Sequence, residues 1–268
     1  MIYLNNVCVV YGGNVHALKN VSLGFAKGEI SVLLGTSGAG KSTLLRCLNG
    51  FVEPSAGHVT VDGIGQLKLS NIRGLRQRTG MIFQQHQLIG RLSVMRNVLI
   101  GRLGQYGTLR SMFPFSRADK LVALECIHRV GLLDKAVQRV DQLSGGQQQR
   151  VGIARAFAQR PDIVLADEPV ASLDPATAES VLSLLYEMCR SDGITAVVSL
   201  HQVNLAKKYA DRIIGVSGGT IVFDGSPTEL DEVKLSKIYP RNFFHSFSAS
   251  CQDNEENILH ANDLAFAC

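Results

Sequence analysis

The chain has 268 residues, 46% hydrophobic and 19% charged, a balance that supports a sizeable folded core and excludes a disordered polymer. Its net charge of +4 suits an acidic membrane surface or partner but is too small to argue for nucleic acid. No stretch approaches the ~20 apolar residues of a membrane span, and the start "MIYLNNVCVVYGG" lacks a basic leader and cleavage site, so a soluble cytoplasmic chain is expected.

In chain order, apolar and β-branched runs predict strands over 2–11 and 29–34, the second continuous enough for a fully buried strand of a parallel sheet. That strand runs into "GTSGAGKST" (35–43), where Gly35, Gly40, Lys41 and Ser42 fit G-x-x-x-x-G-K-[ST], and a helix is expected over 41–50. Glycine-rich turns between strand and helix are common, but this context is the one a phosphate loop requires. Successive backbone N–H groups of Gly35, Thr36, Ser37, Gly38, Ala39 and Gly40 can nest an anion, and the helix beginning Lys41-Ser42-Thr43 points its positive end at it. Lys41 then reaches the β/γ oxygens, and the Ser42 hydroxyl takes a position on Mg²⁺. The glycine spacing is not the dinucleotide fingerprint, which excludes a nicotinamide reading.

Further strands are predicted over 58–62 and 80–84, and the N-terminal strands look antiparallel. No strand signal falls between 85 and 160, while helical patterns occur over 92–102, 117–131 and 146–159. That stretch reads as a helical subdomain inserted into an α/β core. Within it, "LSGGQQQR" (143–150) makes Ser144 a good N-cap; Gly145 and Gly146 permit close approach, and Gln147 opens a second anion-favouring helix start. One nucleotide needs a single cradle. The second makes sense if it closes on a nucleotide held by another copy of the chain.

The strand over 162–167 ends in "IVLADEP", presenting Asp167 and Glu168 where α/β sheets present ligand groups. Asp167 would hold Mg²⁺ through water and Glu168 would polarise the water attacking the γ-phosphate; as neighbours they are expected on opposite sides of the strand axis. The plain alternative is that the pair caps the next helix. Helices over 175–191 and 203–210 and strands over 195–200 and 212–223 follow. In "SPTEL", Ser226, Pro227 and Glu229 predict a capping box opening a short helix. The folded domain is placed at 1–242, and 243–268 reads as a polar tail, a candidate for disorder. The six cysteines, Cys8, Cys47, Cys126, Cys189, Cys251 and Cys268, are scattered without a C-x-x-C pair, which favours free thiols in a reducing compartment.

The phosphate loop, "LSGGQ" and the Asp-Glu strand, in that order, resemble the nucleotide-binding subunit of an ATP-binding cassette (ABC) transporter over residues 1 to about 240. The resemblance implies a P-loop NTPase core, ATP and Mg²⁺ as ligands, and further site residues. Gln84 in "MIFQQ" looks like the Q-loop residue that senses Mg²⁺ and water, with Gln85 the weaker candidate. Asp174 in "SLDP" resembles the D-loop aspartate at a dimer seam, and His201 the switch histidine on the γ-phosphate. Tyr11 resembles the aromatic that stacks on adenine, although a packing tyrosine is the competing explanation, as for Tyr3 on the same strand.

By the same resemblance, two copies form a homodimer that traps ATP between phosphate loop and signature helix. They drive two transmembrane permease subunits from the cytoplasmic face of the inner membrane, with a periplasmic solute-binding protein as indirect partner. The segments "FQQHQLIGRLSVMRNVLIGRLG" and "DEPVASLDP" look like the ATPase of phosphonate importers, with phosphate or phosphite, or an amino acid or methionine importer, as alternatives. Arg96 departs from that pattern, standing where many such relatives carry an acidic residue. A soluble cassette acting on DNA or ribosomes would need tandem cassettes or a strongly basic patch, and a small-molecule kinase would leave "LSGGQQQR" and His201 unexplained.

Overall fold

The computed structural model describes residues 1–84, 87–106 and 114–239. The expected tail, Gln85, Cys251 and Cys268 lie outside them. Strands β1 (Ile2–Tyr11), β2 (Val15–Phe25), β4 (Ala56–Val61) and β5 (Gly65–Gln66) form an antiparallel sheet in the order β2-β1-β4-β5. The second sheet contains β3 (Ile30–Leu34), β6 (Thr79–Ile82), β7 (Ile163–Asp167), β8 (Thr195–Leu200), β9 (Arg212–Ser217) and β10 (Thr220–Gly225). Its order is β10-β9-β3-β8-β7-β6, parallel except for the β9–β10 hairpin.

This second sheet is covered on both faces, which is why its strands read as unbroken apolar runs. Ile30, Val32 and Leu34 face one cluster with Val164, Ala166, Ala196 and Val198. Leu33, Leu165 and Val197 face the other, with the antiparallel sheet and helix α1 (Lys41–Leu48). Helix α2 (Ile72–Arg78) leads into β6. Helices α3 (Val94–Ile100), α4 (Arg117–Arg129) and α5 (Gly145–Ala158) pack on one another, and α5 also touches α6 (Pro175–Asp192). Gly101, just past α3, has no room for a side chain: a Cβ there would lie 2.1 Å from the Arg155 carbonyl oxygen. Asp119 of α4 ties the base of this helical group. It is buried, accepts Arg102 Nε at 3.0 Å and the Ser116 N–H at 3.1 Å, and takes the Tyr106 and Ser116 hydroxyls as well. Burial raises this carboxyl's pKa, but the bonds from Ser116, Tyr106 and Arg102 outweigh it and hold the group well below the usual carboxylate range.

Three local expectations are corrected. β2 has no counterpart among the predicted strands: Asn6 and Asn20 take φ of 49° and 50°, and register shifts along β1 break the alternation that marks a strand. The run 212–223 is two strands, turned at Gly218 and Gly219 with φ of 54° and 82°. Ser226 opens no capped helix; its hydroxyl pairs with Thr228 Oγ1 at 2.9 Å, and Pro227–Glu229 is a single 3-10 turn. Helix α7 (Val203–Tyr209) precedes β9, and α8 (Glu232–Ile238) starts later, where Asp231 accepts the Lys234 N–H at 2.8 Å. Cys8, Cys47, Cys126 and Cys189 are free, and burial pushes the Cys47 and Cys189 thiols up to about 12. Among the described residues no helix is long and apolar enough to cross a membrane.

Candidate nucleotide site

β3 delivers the chain to the glycine-rich loop, and the loop's glycines have distinct reasons. A Cβ at Gly35 would sit 2.3 Å from the Val216 carbonyl oxygen; at Gly40, where φ is 112°, it would sit 2.6 Å from that of Ala17. The first intrahelical bond of α1 runs from the Leu44 N–H to the Gly40 carbonyl at 2.9 Å. The N–H groups of Lys41, Ser42 and Thr43 are therefore the helix's orphan donors, available to an anion. Lys41 is only 3% exposed; its Nζ donates to the carbonyls of Gly35 at 2.8 Å and Thr36 at 3.0 Å, and lies 3.7 Å from Glu168 Oε1. Burial lowers the Lys41 pKa, with Glu168 and Asp167 opposing that shift.

Because β3, β8 and β7 are adjacent and parallel, their C-terminal ends meet beside this loop. Ser42 Oγ donates to Asp167 Oδ1 at 2.9 Å, and Ser199 Oγ, level with Asp167 on β8, donates to the same atom at 3.0 Å. Ser199 Oγ also accepts the Glu168 N–H at 2.8 Å. Glu168 leaves the strand with φ of 47°, a left-handed conformation costing about 1–3 kcal/mol for a non-glycine residue. The strand alternation therefore stops at Asp167, which corrects the expectation of opposite sides: both carboxylates turn onto the phosphate loop. His201 Nε2 lies 2.6 Å from Glu168 Oε1, so one carboxylate oxygen faces both Lys41 and the histidine. The helix-capping alternative for Asp167 and Glu168 fails, because Asp174 caps α6 by accepting the Thr177 N–H at 3.0 Å. Hydrogen bonding from the Thr177 side chain, and then from its backbone N–H, lowers the Asp174 pKa.

Tyr11 is 40% exposed beside α1, its hydroxyl 3.4 Å from Thr43 Oγ1. Tyr3 by contrast packs its ring over Gly24 and bonds Met1 Sδ. Ile82 is level with Ala166, so Gln84 leaves the sheet at the same end as Asp167 and is exposed there. Ser144, Gly145, Gly146 and Gln147 are not brought to the loop. Their hydrogen bonds close a capping box within the first turn of α5, and among the described residues none reaches 35–43. The two glycines differ: a Cβ at Gly146 would meet Thr177 Cγ2 at 2.4 Å, whereas one at Gly145 would make only an ordinary 3.6 Å contact with Leu173.

Sequence reasoning misses Ser199 and Tyr239. The only available signal for Ser199 is one hydroxyl at the end of an apolar strand, and Tyr239 carries none. A triphosphate fits the cradle: a side chain at Gly35 or Gly40 would collide with backbone, and a buried ammonium and orphan N–H groups line it. Mg²⁺ fits the oxygen pair of Ser42 and Asp167, with phosphate and water completing its shell. Among the described residues no group of three or more His, Cys, Asp or Glu could hold a metal unaided.

The family model for ABC transporters matches residues 18–171. The phosphonates import ATP-binding protein PhnC 3 of Nostoc sp. is 60% identical over 240 residues, covering 89% of this chain and 92% of that protein. The phosphite import ATP-binding protein PxtA of Stutzerimonas stutzeri is 58% identical, covering 89% and 87%. Among solved structures, the ATP-binding cassette MJ0796, a dimer in a post-hydrolysis state bound to ADP and Pi, is similar with a TM-score of 0.74 at 36% identity. That match covers 85% of this chain and 99% of the other. The matched family spans more than half the sequence and two relatives are near 60% identical almost end to end, so the chain belongs to the ABC transporter family, among its ATP-binding proteins.

Proposed function

We propose that the chain is the ATP-hydrolysing subunit of an importer that brings phosphonates across the cytoplasmic membrane. Two copies sit on its inner face beneath two permease subunits, which a periplasmic solute-binding protein supplies. The observation that carries the ATPase reading is the meeting of Lys41, Ser42, Asp167, Glu168 and His201 at the ends of β3, β7 and β8. In this reading Lys41 exchanges the carbonyls of Gly35 and Thr36 for phosphate oxygens, and Tyr11 stacks on adenine. Ser42, Asp167 and Gln84 hold Mg²⁺, which when bound neutralises charge on the phosphates. Glu168 orients and polarises the attacking water, and His201 steadies that carboxylate against the γ-phosphate. Ser144 to Gln147 of the second copy close over the nucleotide, with Asp174 at the seam. Closure does mechanical work on the permease, and hydrolysis resets the pair.

The cargo rests on the relatives: the Nostoc protein supports phosphonates, and the Stutzerimonas protein supports phosphite as the second reading. Glu168→Gln tests the chemistry, since it keeps the shape and removes the base. Turnover should fall at least about 100-fold while ATP affinity stays within a few-fold; retained hydrolysis or lost binding contradicts the role. Deleting the chain from the cell that makes it should abolish growth on methylphosphonate as sole phosphorus source. Unaltered growth there, with loss of growth on phosphite, shifts the reading to the second cargo.

A further inference from the structure

Tyr239 closes α8, the last described helix, and is 3% exposed. It is held there from both sides. Ile238, fully buried, places its Cδ1 2.5 Å from where a Cβ on Gly215 would lie, so the helix end is seated on β9 through a glycine. The Tyr239 hydroxyl donates to the His201 backbone carbonyl at 3.1 Å. Gly35 and His201 each lie one residue beyond β3 and β8, whose ends, Leu34 and Leu200, are paired in register. One phenol therefore ties the end of α8 to the main chain of the histidine that faces Glu168. A phenylalanine would fill the same space. The hydroxyl adds a polar bond to backbone next to the site. Burial, partly offset by the Gly35 N–H, pushes its pKa up to about 12, so the hydroxyl stays neutral and able to donate at physiological pH.

We propose that Tyr239 is a positioning residue for ATP hydrolysis. Its hydroxyl fixes the backbone at His201 so that Nε2 stays on Glu168, and through it α8 sets the turnover rate. This rests on the reading of His201 given above. The geometry carries it: the hydroxyl reaches the histidine's main chain, so its loss should loosen the chemical step more than binding.

The test compares Tyr239→Phe, His201→Ala and the double variant in the full chain, by steady-state ATPase, by affinity for a fluorescent ATP analogue and by thermal melting. Tyr239→Phe should melt within a few degrees of wild type and keep KM within about twofold. Its kcat should fall roughly fivefold, as one lost hydrogen bond implies. In the His201→Ala background the same change should have no further effect on kcat, because the two residues act in series. Unchanged kcat in Tyr239→Phe overturns the proposal, as does a fall in stability, kcat and affinity together, which marks a packing role only. A full Tyr239→Phe effect persisting without His201 also overturns it, because the hydroxyl then acts other than through the histidine. Wild-type kcat in His201→Ala alone would instead bring down the reading of the histidine, separately from the bond to Tyr239.

Discussion

Ser199 holds the two carboxylates as a pair, because its single hydroxyl accepts from the Glu168 N–H and donates to Asp167. The Glu168 backbone is in a left-handed conformation that most side chains avoid, and this bond is what pins it there. Ser199→Ala should therefore leave the fold intact but free both acids. The lost hydrogen bond to the charged Asp167 is worth about 1.5–3 kcal/mol, so a kcat roughly 10- to 100-fold lower is expected with ATP binding little changed. A steady-state assay beside an ATP-binding titration checks it, and an unchanged kcat contradicts the role. Lys41, Ser42, Asp167 and Glu168 are legible because each lies in a short motif whose spacing is itself the signal. Ser199 is not legible, since its partners are more than thirty residues away and a lone serine in "TAVVSL" has no pattern of its own. The adjacency of Asp167 and Glu168 misleads for a related reason: strand alternation is a rule about extended backbone, and Glu168 is not extended.

At the scale of elements, α5 separates two reasons for glycine that the string "LSGGQ" presents as one. Gly146 is needed inside the chain, where the Thr177 methyl of α6 would lie 2.4 Å from any Cβ; Gly145 meets no such obstacle. Gly146→Ala should lower stability by about 1–3 kcal/mol through overpacking. Gly145→Ala should melt like wild type, since alanine is a better helix former, yet lose ATPase activity at least about tenfold if a second copy must approach that surface. Thermal melting and ATPase rates on the two variants distinguish these outcomes; equal behaviour of both contradicts the division. Long regular elements such as α4, α6 and β7 can be read from periodicity and apolar runs. Elements are lost where local backbone departs from the period: the bulged β1–β2 pair, the Gly218–Gly219 turn that splits one apolar run, and the 3-10 turn after Ser226. In the last case Ser226 and Asp231 both offer a cap, and sequence alone does not rank them.

For the whole molecule, the arrangement explains why one chain carries two anion-seeking helix starts. The phosphate loop lies at the end of the parallel sheet, while Ser144 to Gln147 belong to a helix packed among α3, α4 and α6, with their hydrogen bonds turned inward on α5. On the function proposed above, a second copy completes each active site. Complementation probes that sharing, using Lys41→Ala, which disables the loop, and Ser144→Arg, which disables the facing helix. Each variant alone should be inactive, because both composite sites of each homodimer are broken. Mixed one to one and allowed to exchange subunits, they should recover about a quarter of wild-type ATPase activity, since half the dimers then hold one intact site. A mixture as inactive as its components, or a Ser144→Arg homodimer at wild-type speed, would contradict the shared site.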